Sequence, residues 1–283
     1  MKKQVRILFL LTLVFLLTAA STIKVAAQGG NWFIGLGENS MPVAYLQIAD
    51  SVNPDKTMAF TAVIDVIPDG TRESKLLLAE LLAATIKPTS IPSLLLGRVN
   101  DSLELMEERI WSNVSIQEML IPEMDAASLR TSAKIRIRLK AEKAGVRYGT
   151  KTKVSFTPAD NRRAALSSAY RVKAGALPVR RIIKFSSMRL TANNSEQLPV
   201  QIEMFASESK QWIEWFLNGA AGTKKEKVAL EMYGADMRSV LLEIDLGELE
   251  IVSVGTSYAN NQQTPHKVTI GLSGTIGAVR IIN

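Results

Sequence analysis

Apolar positions along this chain recur mostly at every second residue, the rhythm of strands with one buried face. VAYLQIAD (Val43–Asp50) alternates in this way. AFTAVIDVIPDG (Ala59–Gly70) sets Phe60, Ala62, Ile64 and Val66 against Thr61, Val63, Asp65 and Ile67. Its Pro68-Asp69-Gly70 end predicts a turn, because it combines a fixed φ, a capping side chain and a free φ. ESKLLLAELLAATI (Glu73–Ile86) breaks the rhythm. Leucines at 76, 77, 81 and 82 in a run of strong helix formers predict a helix, which Pro88 and Pro92 stop.

LELMEERI and NVSIQEML return to the strand pattern. After the loop IPEMDAASLRTS comes AKIRIRLKAE, where Ile135, Ile137 and Leu139 face one way. Lys134, Arg136, Arg138 and Lys140 face the other. Such a strand is half buried with a basic wet face. That face is either a solvated sheet surface or a contact for phosphate or an acidic partner. In the second half IIKFSSMRLTA, LPVQIEMFA, KVALEMYG, SVLLEIDLGELEIVSVGTS and HKVTIGLSGTIGAVRII all read as strands. Short strands between turn residues predict a mainly β protein of barrel or sandwich units, each with one short helix.

The halves resemble each other. KIRIRLKAEKAGVR (Lys134–Arg147) aligns without a gap on KVTIGLSGTIGAVR (Lys267–Arg280), and NVSI (113–116) aligns upstream on IVSV (251–254). The reading is a tandem duplication: a first unit at 43–150, a linker region at 151–179 and a second unit at 180–283. Residues 28–42, QGGNWFIGLGENSMP, form a flexible lead-in whose Trp32, Phe33, Ile34 and Leu36 either dock elsewhere or tuck onto their own domain.

QWIEWFLN interrupts the second half with helical spacing. Trp212, Trp215 and Phe216 fall on one face, widened by Ile213 and Leu217. Ser207 is placed to cap the start, and Asn218-Gly219 ends the helix. A helix this short needs packing to persist, so the aromatic trio reads as a plug over a barrel or sheet. A sugar-stacking platform is the alternative and requires exposed rings.

Composition changes this picture at one end. Lys2, Lys3 and Arg6 precede ILFLLTLVFLLTAA, and Val25-Ala26-Ala27 offers small residues before Gln28. Residues 1–27 therefore read as a Sec-type signal peptide, with a retained membrane anchor as the alternative. The expectation is an exported protein, periplasmic or extracellular, with no stable membrane span after cleavage. Loss of Lys2, Lys3, Arg6 and Lys24 takes the net charge from +7 to +3. That mild balance argues against a nucleic-acid partner. The chain has no cysteine, so disulfides, thiolate nucleophiles and thiolate metal sites are excluded.

Candidate chemistry is sparse. His266 is the one histidine, and it sits in the polar loop NNQQTPHKV without a nucleophile elbow to serve. GAAGTKKEK (219–227) lacks phosphate-loop spacing. Glu203, Glu231, Glu243 and Asp245 lie on predicted strands, and a pair of them is the minimum for carboxylate-dependent hydrolysis. No cofactor, catalytic residue or metal site is expected.

LPVQIEMF, the tryptophan helix with its exit KVALEMYG, VLLEIDLGELEIVSVGTS, and a polar loop before HKVTIGLSG together resemble the tube proteins of contractile injection machines. These are the tail-tube proteins of contractile phages and the hemolysin-coregulated tube protein of type VI secretion. IWSNVSIQEMLIPEMDAASLRTSAKIRIRLKAE is similar to the closing hairpin of that pattern. The resemblance implies small β-barrels with one flanking helix that assemble into rings through sheet edges, with no catalytic residues. The expected function is an exported, self-associating structural protein, forming a ring or stack. The alternatives are an envelope module that binds glycan or protein through loops at 121–132 or 257–266, and a secreted carboxylate-dependent hydrolase.

Overall fold

A computed structural model of the chain describes residues 23–52, 58–128, 131–149, 152–154, 164–179, 182–191, 197–218, 225–257 and 267–282. The protein is mainly β, as the alternation predicts. The first half supplies β1 (Ile23–Leu36), β2 (Asn39–Val52), β3 (Met58–Val66), helix α1 (Arg72–Ile86), β4 (Ile91–Val99), β5 (Leu105–Ile121), β6 (Met124–Asp125) and β7 (Ile135–Tyr148). Antiparallel pairing runs β5-β4-β1-β2-β3-β7 and returns through a β5–β7 ladder. The six strands thus nearly close a barrel, which removes the open edges that a flat sheet leaves.

The second half supplies β8 (Tyr170–Ala174), β9 (Ile182–Phe185), β10 (Met188–Thr191), β11 (Gln197–Phe205), helix α2 (Lys210–Asn218), β12 (Glu226–Tyr233), β13 (Val240–Ser257), β14 (Lys267–Thr275) and β15 (Arg280–Ile282). Its sheet runs β6-β9-β11-β14-β13-β12-β8, with β15 continuing the β14 line along β13.

The two halves repeat one order of elements. β3-α1-β4-β5-β7 corresponds to β11-α2-β12-β13-β14, and β8 pairs β12 as β1 pairs β4. The closing hairpins match down to an irregularity. Ile116 opposes Leu139 and Glu118 opposes Arg138, so Gln117 is an extra residue in β5. Ile251 opposes Leu272 and Ser253 opposes Gly271, so Val252 is an extra residue in β13. The β7-on-β14 alignment therefore holds through this stretch. The upstream alignment is corrected: Ile116–Met119, not Asn113–Ile116, is the counterpart of Ile251–Val254. A bulge bends its strand and strengthens the local twist, so both hairpins curl at the same level.

The units are interlocked. β10 leaves the second half to pair with β5, Met188 opposite Ile121 and Thr191 opposite Glu118. β6 leaves the first half to pair with β9, Met124 opposite Phe185. One apolar core runs through both units, from Ile34 and Ile64 to Trp212 and Ile270. Helix α1 fits its prediction. Thr71 caps it by accepting from the Ser74 amide at 3.3 Å, and Leu77, Leu78, Leu81 and Leu82 are buried.

Several boundaries differ from the sequence reading. The expected lead-in at 28–42 is not a free arm. It is strand in both β1 and β2, with Trp32, Phe33 and Ile34 buried and β1 held between β2 and β4. Glycine density hid this, because glycine is permissive rather than strictly a loop former. The expected linker at 151–179 contains β8, a strand of the second sheet. LELMEERI and NVSIQEML form one 17-residue strand, β5, which accommodates Asn113 at φ 52°. IIKFSSMRLTA splits at Ser186-Ser187 into β9 and β10 in different sheets, because Ser186 Oγ and carbonyl partners from β11 hold the break. IPSLLLGRV forms β4, and its Pro92 lies outside the stretch that pairs with β1.

Candidate interaction surface

Strand β7 places its side chains as its alternation predicts. Ile135, Ile137, Leu139 and Ala141 are buried, and Lys134, Arg136, Arg138 and Lys140 point outward. Alternate side chains on a strand lie about 7 Å apart, so the four cations form one ridge on the barrel wall. They are not equivalent. Arg136 donates from Nε to Asp65 Oδ1 at 2.7 Å and from Nη2 to Oδ2 at 3.0 Å. The two residues are directly opposed across the β3–β7 ladder, and Asp65 is buried. The hydrogen bond and charge of Asp65 hold the Arg136 guanidinium above its ordinary value. Glu118, opposite Arg138, instead faces Arg189 of β10 at 3.7 Å. Among the described residues, no carboxylate reaches ion-pair distance of Lys134, Arg138 or Lys140. Three of the four cations therefore offer their charge to solvent or to a partner. The ridge belongs to one unit only: the β14 counterparts of the last three are Thr269, Gly271 and Ser273, and Lys267 is taken by Glu203 at 2.6 Å.

Helix α2 buries its indoles. Trp212 is fully buried and Trp215 nearly so, with ring centroids 6.0 Å apart in an edge-on arrangement. Trp212 Nε1 donates to the Pro178 carbonyl at 2.8 Å, which ties the helix to the chain between β8 and β9. Phe216 is half-buried, and Leu217 is 65% exposed rather than part of the stripe. Ser207 sits in a 3₁₀ turn, Ala206–Glu208, that precedes the helix, and Ser209 accepts the first helical bond from Ile213. Buried indoles have no face to stack on a sugar, so the platform alternative falls.

The four acids considered for hydrolysis are each held by a cation. Lys173 Nζ lies 2.7 Å from Glu231 and 3.2 Å from both Glu243 oxygens. Tyr233 donates its hydroxyl to Glu231 at 2.7 Å. Burial pushes the Glu231 carboxyl up, but the bonds from Lys173 and Tyr233 outweigh it and leave it below its ordinary value. Arg280 contacts Asp245 at 2.8 Å, and Lys267 contacts Glu203. Glu231, stabilised in its charged form, is a poor proton donor, the opposite of what a general acid needs. The sequence reading missed Lys173 because it lay in the supposed linker.

Two cavities accompany these features. One, about 390 Å³, lies between β8 and β9 and is lined by Tyr170, Arg171, Val172, Val179, Ile182 and Tyr233. Here, among the described residues, the second unit lacks the pairing that β1 and β2 make in the first. The Tyr170 hydroxyl donates across the gap to the Ile182 carbonyl at 3.4 Å. Another, about 460 Å³, is lined by Lys225, Lys227 and Arg280 against Asp245 and Glu248. Within the loop at 121–132, β6 is paired to β9. His266 and most of the loop at 257–266 lie outside the described residues. Among the described residues, no helix is long and apolar enough to cross a membrane, and no group of three or more acidic or histidine side chains is placed to hold a metal ion.

No protein-family model matches the chain, and no curated protein sequence matches it.

Proposed function

We propose that the protein is an exported, non-enzymatic structural component that assembles with copies of itself, built from two β units of the tube-protein kind. One observation carries this reading. The two units are joined by strands that each lends to the other's sheet, β10 on β5 and β6 on β9. A barrel that accepts a neighbour's strand along its rim is suited to edge-to-edge assembly. The signal-like segment at 1–27 supports export. A cut after Ala27 falls within β1 but ahead of Trp32–Gly35, the part that pairs β1 to both β2 and β4. Light scattering after size exclusion, with electron microscopy of the protein recovered from the envelope, tests the reading. Rings, stacks or filaments are expected, and a monomer at every concentration sinks it.

A second reading has one observation in its favour. The cleft between β8 and β9 combines two tyrosines, an arginine and apolar walls, the mixture that suits a small polar ligand or an extended peptide. Binding of isolated envelope fractions by a monomer, lost in Tyr170→Ala, would favour that envelope-module reading instead.

A further inference from the structure

The internal joint between the two units leaves an unused copy of itself at each end of the molecule. Within the chain, the first unit contributes α1 and the β5 edge at Glu118–Ile121, and the second contributes β15 and β10. Helix α1 packs on β15, and β10 adds to that β5 edge. The repeat supplies described counterparts for α1, for the β5 edge and for β15. α2 corresponds to α1. Aligning the two bulges makes Ser253–Thr256 of β13 the counterpart of Glu118–Ile121. The far end of β7 corresponds to β15, since each runs along the start of the long hairpin strand. The end of β2 and start of β3 correspond to the place of β10 in the chain.

The β13 edge is the counterpart left uncovered among the described residues. β12 reaches β13 only as far as Leu249, as β4 reaches β5 only as far as Val114. In the first unit β10 covers the edge beyond. In the second, among the described residues, no strand covers it. Six exposed apolar side chains lie on or beside these elements. Leu217 of α2 and Val252 of β13 are exposed on the second unit. Met58 at the start of β3, Met106 beside the β7 end, and Val146 and Tyr148 on that end are exposed on the first. These six account for most of the large exposed apolar side chains of the described structure, which also include Met237 and Ile282. Exposed apolar side chains on elements matched to those of the internal joint are suited to an interface.

We infer that copies of this chain join head to tail, the second unit of one on the first unit of the next, in the geometry that already holds the two units of one chain together. The occupant of the bare β13 edge is a second copy. Because the two surfaces differ, the contact is heterologous and yields a closed ring or an open filament rather than a two-fold dimer. This inference rests on the self-association proposed above and specifies its interface.

Two variants test it, one for each surface. Val252→Arg spoils the second-unit surface, and Tyr148→Glu spoils the first-unit surface. Circular dichroism and tryptophan emission establish that each is folded; Leu217→Glu and Val146→Glu replace any variant that is not. Light scattering is then read on each alone and on an equimolar mixture. Each variant alone is expected to be monomeric, and the mixture to give a dimer and nothing larger, since one intact surface of each kind remains. Variants that assemble like the parent overturn the interface but leave self-association standing. Monomeric variants whose mixture stays monomeric overturn the head-to-tail arrangement. A parent protein that never associates overturns self-association and the inference with it.

Discussion

Gln117 and Val252 occupy the same place in two hairpins: each is the extra residue of a bulge, one opposite the Leu139–Arg138 step of β7 and the other opposite the Leu272–Gly271 step of β14. A bulge is a specific local bend rather than a generic property of strands. Its recurrence at matched positions ties the halves together more firmly than short runs of similar residues do. It also fixes which edge residues correspond, and the proposed assembly depends on that correspondence.

The basic ridge contains one structural arginine and three solvent-facing cations. Arg136→Ala strips the buried Asp65 carboxylate of a charged, bidentate partner. A loss of about 1.5–3 kcal/mol is expected, the range for hydrogen bonds to charged groups. Arg138→Ala, exposed and without an ion-pair partner among the described residues, should change stability by less than about 0.5 kcal/mol. Urea unfolding of the two variants checks the contrast; equal effects would contradict the geometry.

Trp212→Ala removes a fully buried indole and its bond to Pro178. The expected cost is about 3–5 kcal/mol, the range for deleting large buried aromatics. All four tryptophans are buried, so folded emission should lie at short wavelength and shift red in one step on denaturation. A red-shifted folded spectrum would remove the plug from the account.

Gly70 has φ +78°, and a Cβ built there would lie 2.8 Å from Leu241 Cδ2 in the second unit. Gly70→Ala therefore combines left-handed strain, roughly 1–2 kcal/mol, with a clash across the joint between units. Leu241→Ala relieves the clash alone. The double variant should be less destabilised than the sum of the two singles. Strict additivity in chemical denaturation would show that the two residues do not meet.

The Lys173–Glu231 pair gives stability a pH signature. Glu231 lies below its ordinary value once folded, so its contribution is present above its unfolded value and is lost as pH falls through the folded one. Lys173 lies above its ordinary value because of Glu231 and Glu243. Its contribution is present below its unfolded value and is lost as pH rises through the folded one. Lys173→Met should lower stability near neutrality and flatten both limbs of the pH profile. A variant that follows the parent at acid pH would show that Glu231 does not depend on Lys173.

Thr71→Ala removes the cap of α1, whose hydroxyl accepts from Ser74 and donates to Asp69 at 2.8 Å. The usual cost of losing such a cap is about 1 kcal/mol. A shift in thermal midpoint with unchanged secondary structure at low temperature is the expected readout.

The sequence by itself determined the strand character of the chain, the long α1 helix, the outward row on β7, the buried indoles of α2 and the likeness of the closing hairpins. Each follows from a period of two or of 3.6, a cap or a volume, which act among residues near in sequence. Tertiary structure decided the rest. Trp32–Ile34 became core because β2 and β4 flank them, and Ser186 became a crossing point because β5 had an edge for β10 to fill. Lys173 and Glu231 met because β8 pairs with β12. Strand pairing joins residues far apart in the chain, and alternation says which face a side chain takes but not which strand lies beside it.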